Sequence, residues 1–253
     1  MAIVLGRGSY SQVFLCHNRV YKPFNLVSSS IKADQLTQFS QMKRRLQDRD
    51  SLLAAGVDIV TVELGGVQTE AISMPYTGAQ SLDKLPAWTN PSPARLEHLV
   101  RWIGNVLYEL ERCELVFLDW KPSNIIQAIE TGQLDLCDWD GIATEEDATN
   151  KVEMGICPIP RGTYCPFNSA HPATFTTETL RYAMAFAAAI TVCVVRYKTH
   201  PTLSQPATPT EFLKRHQAVQ TLLCSCLGTT PLWLRPPEPV LVALKHTDFF
   251  AEN

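Results

Sequence analysis

The chain is poor in several features, and each shortage closes a class of protein. Its eight cysteines, at 16, 113, 137, 157, 165, 193, 224 and 226, form no C-x-x-C pair. Cys224 and Cys226 stand too close together for a usual zinc pair. The cysteines therefore read as reduced, mostly buried thiols of a cytoplasmic or nuclear protein. Basic excess is missing too: the net charge is −3 and the pI about 6.1, so a nucleic-acid footprint is not expected. The first residues show no basic region followed by an apolar core and a cleavage site, so no signal peptide is expected. The longest apolar run, Tyr182 to Val195 between Arg181 and Arg196, is too short to span a bilayer and reads as a buried core helix, leaving no membrane partner. No internal repeat is apparent. What the chain does have is apolar material: 45% hydrophobic against 19% charged residues in 253. That predicts a packed core, in one large domain or two lobes sharing a cleft.

The richest stretch chemically runs Val116-Phe117-Leu118-Asp119-Trp120-Lys121-Pro122-Ser123-Asn124-Ile125-Ile126. It sets a carboxylate, an ammonium and a carboxamide two and three residues apart between apolar flanks. Asp119 can accept a proton from an incoming hydroxyl, Lys121 can neutralise a phosphoryl group, and Asn124 can hold a divalent metal through its amide oxygen. Pro122 stiffens the turn. Phosphoryl transfer draws nearly all of its rate gain from such positioning and charge neutralisation. The plain alternative is a polar surface turn between a helix and a strand.

Other segments take their places around this one. Gly6 and Gly8 lie in Leu5-Gly6-Arg7-Gly8-Ser9-Tyr10-Ser11-Gln12-Val13-Phe14, between two short apolar runs that read as a hairpin. Glycines one residue apart let a backbone approach a polyphosphate, and Val13 can cap a flat base. Lys22 lies in a third short strand, Val20 to Phe24, where its charge needs a partner; a lysine snorkelling from an edge strand is the alternative. Residues 28–55 carry a helical pattern that Gly56 is expected to end. Ile59 to Leu64 and Thr69 to Met74 form a strand pair turned at Gly65-Gly66, with Pro75-Tyr76-Thr77-Gly78 as a connector. Ser92 caps a helix that starts at Pro93 and runs to Glu114. Leu134, Leu136 and Asp138 alternate as in a strand that ends in an acid. Thr144 to Pro160 reads as a mobile segment, and Thr199 to Thr210 as a surface loop.

In this order and spacing the landmarks resemble the protein-kinase superfamily. Asp119-Trp120-Lys121-Pro122-Ser123-Asn124 is similar to the loop H-R-D-L-K-P-x-N, with Phe117 and Leu118 in place of His and Arg. The glycine stretch resembles G-x-G-x-x-G-x-V, with Ser11 at the third glycine. Asp138-Trp139-Asp140 resembles D-F-G, with Gly141 one residue late; Asp140 is the alternative metal ligand. Arg161 to Pro166 looks like a compressed G-T-x-x-Y-x-A-P-E with Phe167 at the glutamate, and Arg235 looks like the arginine that normally pairs there. No glutamate occurs between Lys22 and Glu63, so the helix acid that usually orients the strand lysine is missing, with Gln47 or Asp48 nearest to its place.

The resemblance implies an α+β, two-lobed protein-kinase-like fold with a small β-rich N-lobe (1–78) and a mainly helical C-lobe (79–253). It looks like a divergent, minimal serine/threonine-type kinase, similar to those of large DNA viruses or bacterial effectors, with ATP and Mg2+ as cofactors and proteins as substrates. Asp119, Lys121 and Lys22 are then catalytic. Gly6, Gly8, Ser11, Val13, Lys22, Met74, Pro75 and Thr77 line the nucleotide, the Pro75 carbonyl and the Thr77 N–H facing its base edge. Asn124 and Asp138 hold the metal. Leu118 in place of Arg removes the partner of a phosphorylated activation loop, so activity is expected to need no such phosphorylation. The rival readings are a pseudokinase scaffold, a small-molecule kinase of the aminoglycoside or choline type, and a structural α+β protein with no nucleotide site.

Overall fold

A computed structural model of the chain describes residues 3–7, 12–24, 29–51, 53, 55–64, 66–117, 119–148, 177–198, 209–228 and 231–234. The fold is mixed α+β. Strands β1 (Ile3–Arg7), β2 (Gln12–Cys16), β3 (Arg19–Pro23), β4 (Asp58–Leu64) and β5 (Val67–Pro75) form an antiparallel sheet in the order β1-β2-β3-β5-β4. The β2–β3 turn is His17-Asn18, with φ of 47° and 60°. Two positive φ values in a two-residue hairpin match the twist of the flanking strands, and asparagine tolerates that conformation. Lys22 stands opposite Ile72 and Val20 opposite Met74.

Helix α1 (Ser29–Asp48) lays Phe39, Met42 and Leu46 into the core, with Phe24 edge-on to Phe39 at 6.5 Å. It ends seven residues before the expected Ala55. Asp50 turns left-handed (φ 48°) and the Ser51 N–H returns to the Leu46 carbonyl at 2.9 Å, closing the helix from within. Gly56 serves a different purpose. It sits at φ 74° before β4, where a Cβ would lie 3.0 Å from Pro75 Cγ.

Helix α2 (Pro93–Arg112) begins as its cap predicts: Ser92 Oγ accepts from the Arg95 N–H, and Pro93 opens the first turn. Six apolar side chains, from Leu96 to Leu110, are buried on one face. At about 1.5–3 kcal/mol each, they make α2 a firm platform for the strand and loop attached to its C-terminal end. Helix α3 (Thr177–Tyr197) is buried nearly all round and packs on α2 and on α4 (Pro209–Leu227). The expectation that its apolar run is too short for a bilayer needs correcting. The stretch Leu180–Tyr197 is long and apolar enough by length and composition, but 78% of it is buried inside the protein.

Short strands complete the helical part. β7 (Leu115–Phe117) pairs with β10 (Ile142–Thr144), and β6 (Gln80–Ser81), β8 (Ile125–Gln127) and β9 (Leu134–Leu136) form a second small sheet. Thr144 is therefore a paired strand residue opposite Leu115, and a helical turn occupies 145–148. The mobile segment expected from Thr144 onward is ordered at its start, because β10 is the partner that β7 requires. Its remainder, with Arg161 to Phe167, lies outside the described residues, as do Arg235 and residues 199–208. Among the described residues the cysteines are less uniformly buried than expected: Cys113 and Cys193 are buried, Cys16 and Cys137 are half-buried, and Cys224 is exposed.

Candidate active site

Hairpin register brings the first two side chains of the site together. β8 and β9 pair with Ile125 opposite Leu136, so the residues just outside the ladder, Asn124 and Cys137, face each other. The Cys137 N–H donates to the Asn124 carbonyl at 3.1 Å. Asp138 is the next residue, and its carboxylate Oδ2 lies 3.5 Å from Asn124 Nδ2. Asn124 is buried, in a short 3-10 turn that Pro122 begins. Its Nδ2 donates at 2.9 Å both to the Asp119 carbonyl and to Asp119 Oδ2. Lys121 Nζ donates to that same Oδ2 at 2.5 Å.

Lys22 reaches the cluster from the other side. Its Nζ donates to Asp138 Oδ1 across 116 positions of sequence. The two side chains are 18% and 30% exposed, open enough to meet a ligand and closed enough for charge to act strongly. Lys22, Asp119, Lys121, Asn124 and Asp138 thus form one continuous network of two cations, two carboxylates and an amide.

Aromatic packing sets the base of the loop. Trp120 is fully buried, edge-on to Phe117 at 5.3 Å and to Trp102 of α2 at 6.3 Å. Its indole Nε1 is buried without a hydrogen-bond partner. The Phe117 N–H points at Met184 Sδ of α3, 3.3 Å away. On the opposite side, Gly141 closes the turn Trp139–Gly141 against Phe117. A Cβ there would meet Phe117 Cε2 at 3.2 Å and Asp119 Cβ at 4.0 Å. The residue that must be small is therefore Gly141 rather than position 140, because 141 is where this turn touches the Asp119 loop.

The remaining expected site residues belong to the sheet and its exit. Gly6 stands opposite half-buried Val13, beyond an irregularity between Val4 and Gly6. Gly8 and Ser11 lie outside the described residues. Met74 is half-buried, and Pro75 and Thr77 are exposed where β5 leaves the sheet. The Tyr76 N–H between them is taken by the Asn18 carbonyl at 3.0 Å. Gln47 and Asp48 are exposed at the end of α1. Asp48 faces a separate polar cavity of about 630 Å³ behind α1, which it shares with Gln41, Arg45, Arg49 and Glu114. Acids and arginines pair with one another along that wall, so it does not compete with the Lys22 cluster for the chemistry.

Four residues that sequence patterns did not single out hold the site's surroundings. Arg181 of α3 donates to both oxygens of buried Glu145, at 2.5 and 3.1 Å, and to Glu111 of α2 at 2.8 Å. The Glu145 carboxylate holds the Arg181 guanidinium above the ordinary arginine range. Glu114 joins α1 to the end of α2. Each lies dozens of residues from its partner, and no spacing rule connects them.

The chain matches no protein-family model, and no curated protein matches it in sequence.

Proposed function

We propose that this chain is an ATP-dependent phosphotransferase of the protein-kinase type, acting on serine or threonine hydroxyls of protein substrates. One observation carries the reading: Lys22, Asp119, Asn124 and Asp138, drawn from three separate segments, face one another in one hydrogen-bonded network. The strand order β1-β2-β3-β5-β4, with Lys22 on β3, supports the resemblance further. In this reading residues 1–78 form the smaller lobe and the remainder the larger one. Gly6, Gly8, Ser11 and Val13 cover ATP, and Met74, Pro75 and Thr77 flank its base.

Each side chain has a task that its surroundings suit. Lys22 pairs with the α- and β-phosphates, exchanging Asp138 for phosphate oxygens. Asp119 orients the acceptor hydroxyl and takes its proton. Lys121, already beside Asp119, neutralises charge on the phosphoryl group as it passes. Asn124 fixes Asp119 through its Nδ2. The donor set also fits magnesium: Asp138 and Asn124 offer hard oxygens. Magnesium is commonly held by one or two protein carboxylate or amide oxygens together with substrate phosphates. Bound there, magnesium would neutralise phosphate charge.

The missing glutamate on α1 favours a second reading, a nucleotide-binding scaffold without transfer. The test for both is magnesium-dependent transfer from γ-labelled ATP to mixed protein substrates. Asp119→Ala and Lys22→Met should each lower the rate at least a hundredfold, the scale of a lost proton acceptor or charge clamp. Transfer that persists in both variants sinks the kinase reading. Nucleotide binding with no transfer by the unmodified chain decides for the scaffold.

A further inference from the structure

Glu114 carries an unfavourable backbone. Its φ is 55°, a left-handed conformation in which glycine or asparagine is at ease and glutamate is not. Directly after α2, at the turn into β7, a glycine would serve the chain better if the turn were all that mattered. The side chain explains the choice of glutamate. The carboxylate takes the guanidinium of Arg45 and faces that of Arg49 at 3.7 Å, both on or just after α1. The carbonyl accepts the Glu145 N–H at 3.0 Å, four residues beyond Gly141.

Two more links reinforce the α1 side. Arg112 Nη1 donates to the Arg49 carbonyl, and Ser51 Oγ donates to Glu109 Oε2 at 2.8 Å. The end of α1 is thus bolted to the end of α2, with Glu114 at the centre. The segment that follows Asp138 is hydrogen-bonded to the same residue at Glu145 and also packs on α1 itself.

We propose that Glu114 is a positioning residue that couples α1 to the Asp138 segment. It keeps the site assembled without a lysine-to-helix acid pair. This rests on the phosphotransferase reading and adds to it a contact that holds α1 to the segment after Asp138.

Glu114→Gly separates this from a plain turn, since it keeps the carbonyl link, relieves the backbone and removes the side chain that reaches α1. The expected result is a melting temperature equal to or above that of the unmodified chain. Amide exchange should quicken together over residues 45–51 and 138–145. The turnover number should fall about tenfold, within the usual range of coupling between sites, with little change in the KM for ATP. Arg45→Met, which removes the same link from α1 together with a longer contact to Glu146 at 3.9 Å, should do likewise. Faster exchange confined to 45–51, or turnover unchanged in Glu114→Gly, overturns the proposal. Should the unmodified chain transfer no phosphate, the phosphotransferase reading fails by itself and the coupling stands or falls on exchange alone.

Discussion

Replacing Arg181 with methionine tests the packing beneath the site independently of its chemistry. Arg181 grips Glu145 through two guanidinium nitrogens and reaches Glu111 with a third. Methionine keeps most of the stem's apolar contact and removes all three donors. Glu145 is 9% exposed at its side chain, Arg181 31%. A fully buried pair that loses one partner costs about 3–5 kcal/mol, and an exposed pair about 0–1 kcal/mol. With one partner buried and the other partly open to water, the expected loss is about 2 kcal/mol. In a chain of this size that lowers the melting temperature by roughly 4–8 °C. The sign with pH is settled by the cation. Its pKa is raised on folding, so its contribution is fully present below the ordinary arginine range and persists across neutral pH. Thermal melts tracked by circular dichroism give the single variants, and Glu145→Gln with Arg181→Met closes a double-mutant cycle. The double variant should recover about half of the loss, because the buried carboxylate that lost its arginine is gone as well. A single variant that melts within a degree or so of the unmodified chain, or strictly additive losses, refutes the reasoning.

Two further perturbations probe the neighbouring joints. Gly141→Ala puts a methyl against Phe117 and beside Asp119, so it should cost about 1 kcal/mol or more and, on the proposed phosphotransferase reading, slow the transfer; a melt indistinguishable from that of the unmodified chain would count against the close approach. Glu109 is held below the ordinary glutamate range first by its hydrogen bonds from Arg112, then by Ser51, against an opposing effect of burial. A depressed carboxylate stabilises above its unfolded pKa and loses that contribution as pH falls through the folded one. The urea midpoint of Glu109→Gln should therefore lie below that of the unmodified chain near neutral pH. The gap should close in acid once the pH has fallen below the ordinary glutamate range, and a gap that persists there would assign the loss to packing instead.

Much of the candidate site was legible because its chemistry is local. Asp119, Lys121 and Asn124 lie within six residues, and a proline-started turn delivers them whatever surrounds it. The strand pairs around Lys22 announce themselves by apolar runs and turn residues, and α2 by its cap and its apolar face. The end of α1 was not legible. Its apolar pattern continues toward Leu53, yet a left-handed Asp50 closes the helix, since the Ser51 N–H finds the Leu46 carbonyl. Thr144 reads as mobile among its charged neighbours, but β7 has a free edge that only a distant strand can fill.

What the sequence determined by itself is an inventory: short-range geometry, periodic apolar faces, and side chains fit for phosphoryl chemistry. Tertiary structure decided who meets whom. That Lys22 turns to Asp138, that Arg181 grips Glu145, and that Glu114 holds α1 depends on how separate elements pack. Charge pairs across 116, 36 and 69 positions are chosen by how the separate elements pack, and no period or spacing along the chain encodes that choice.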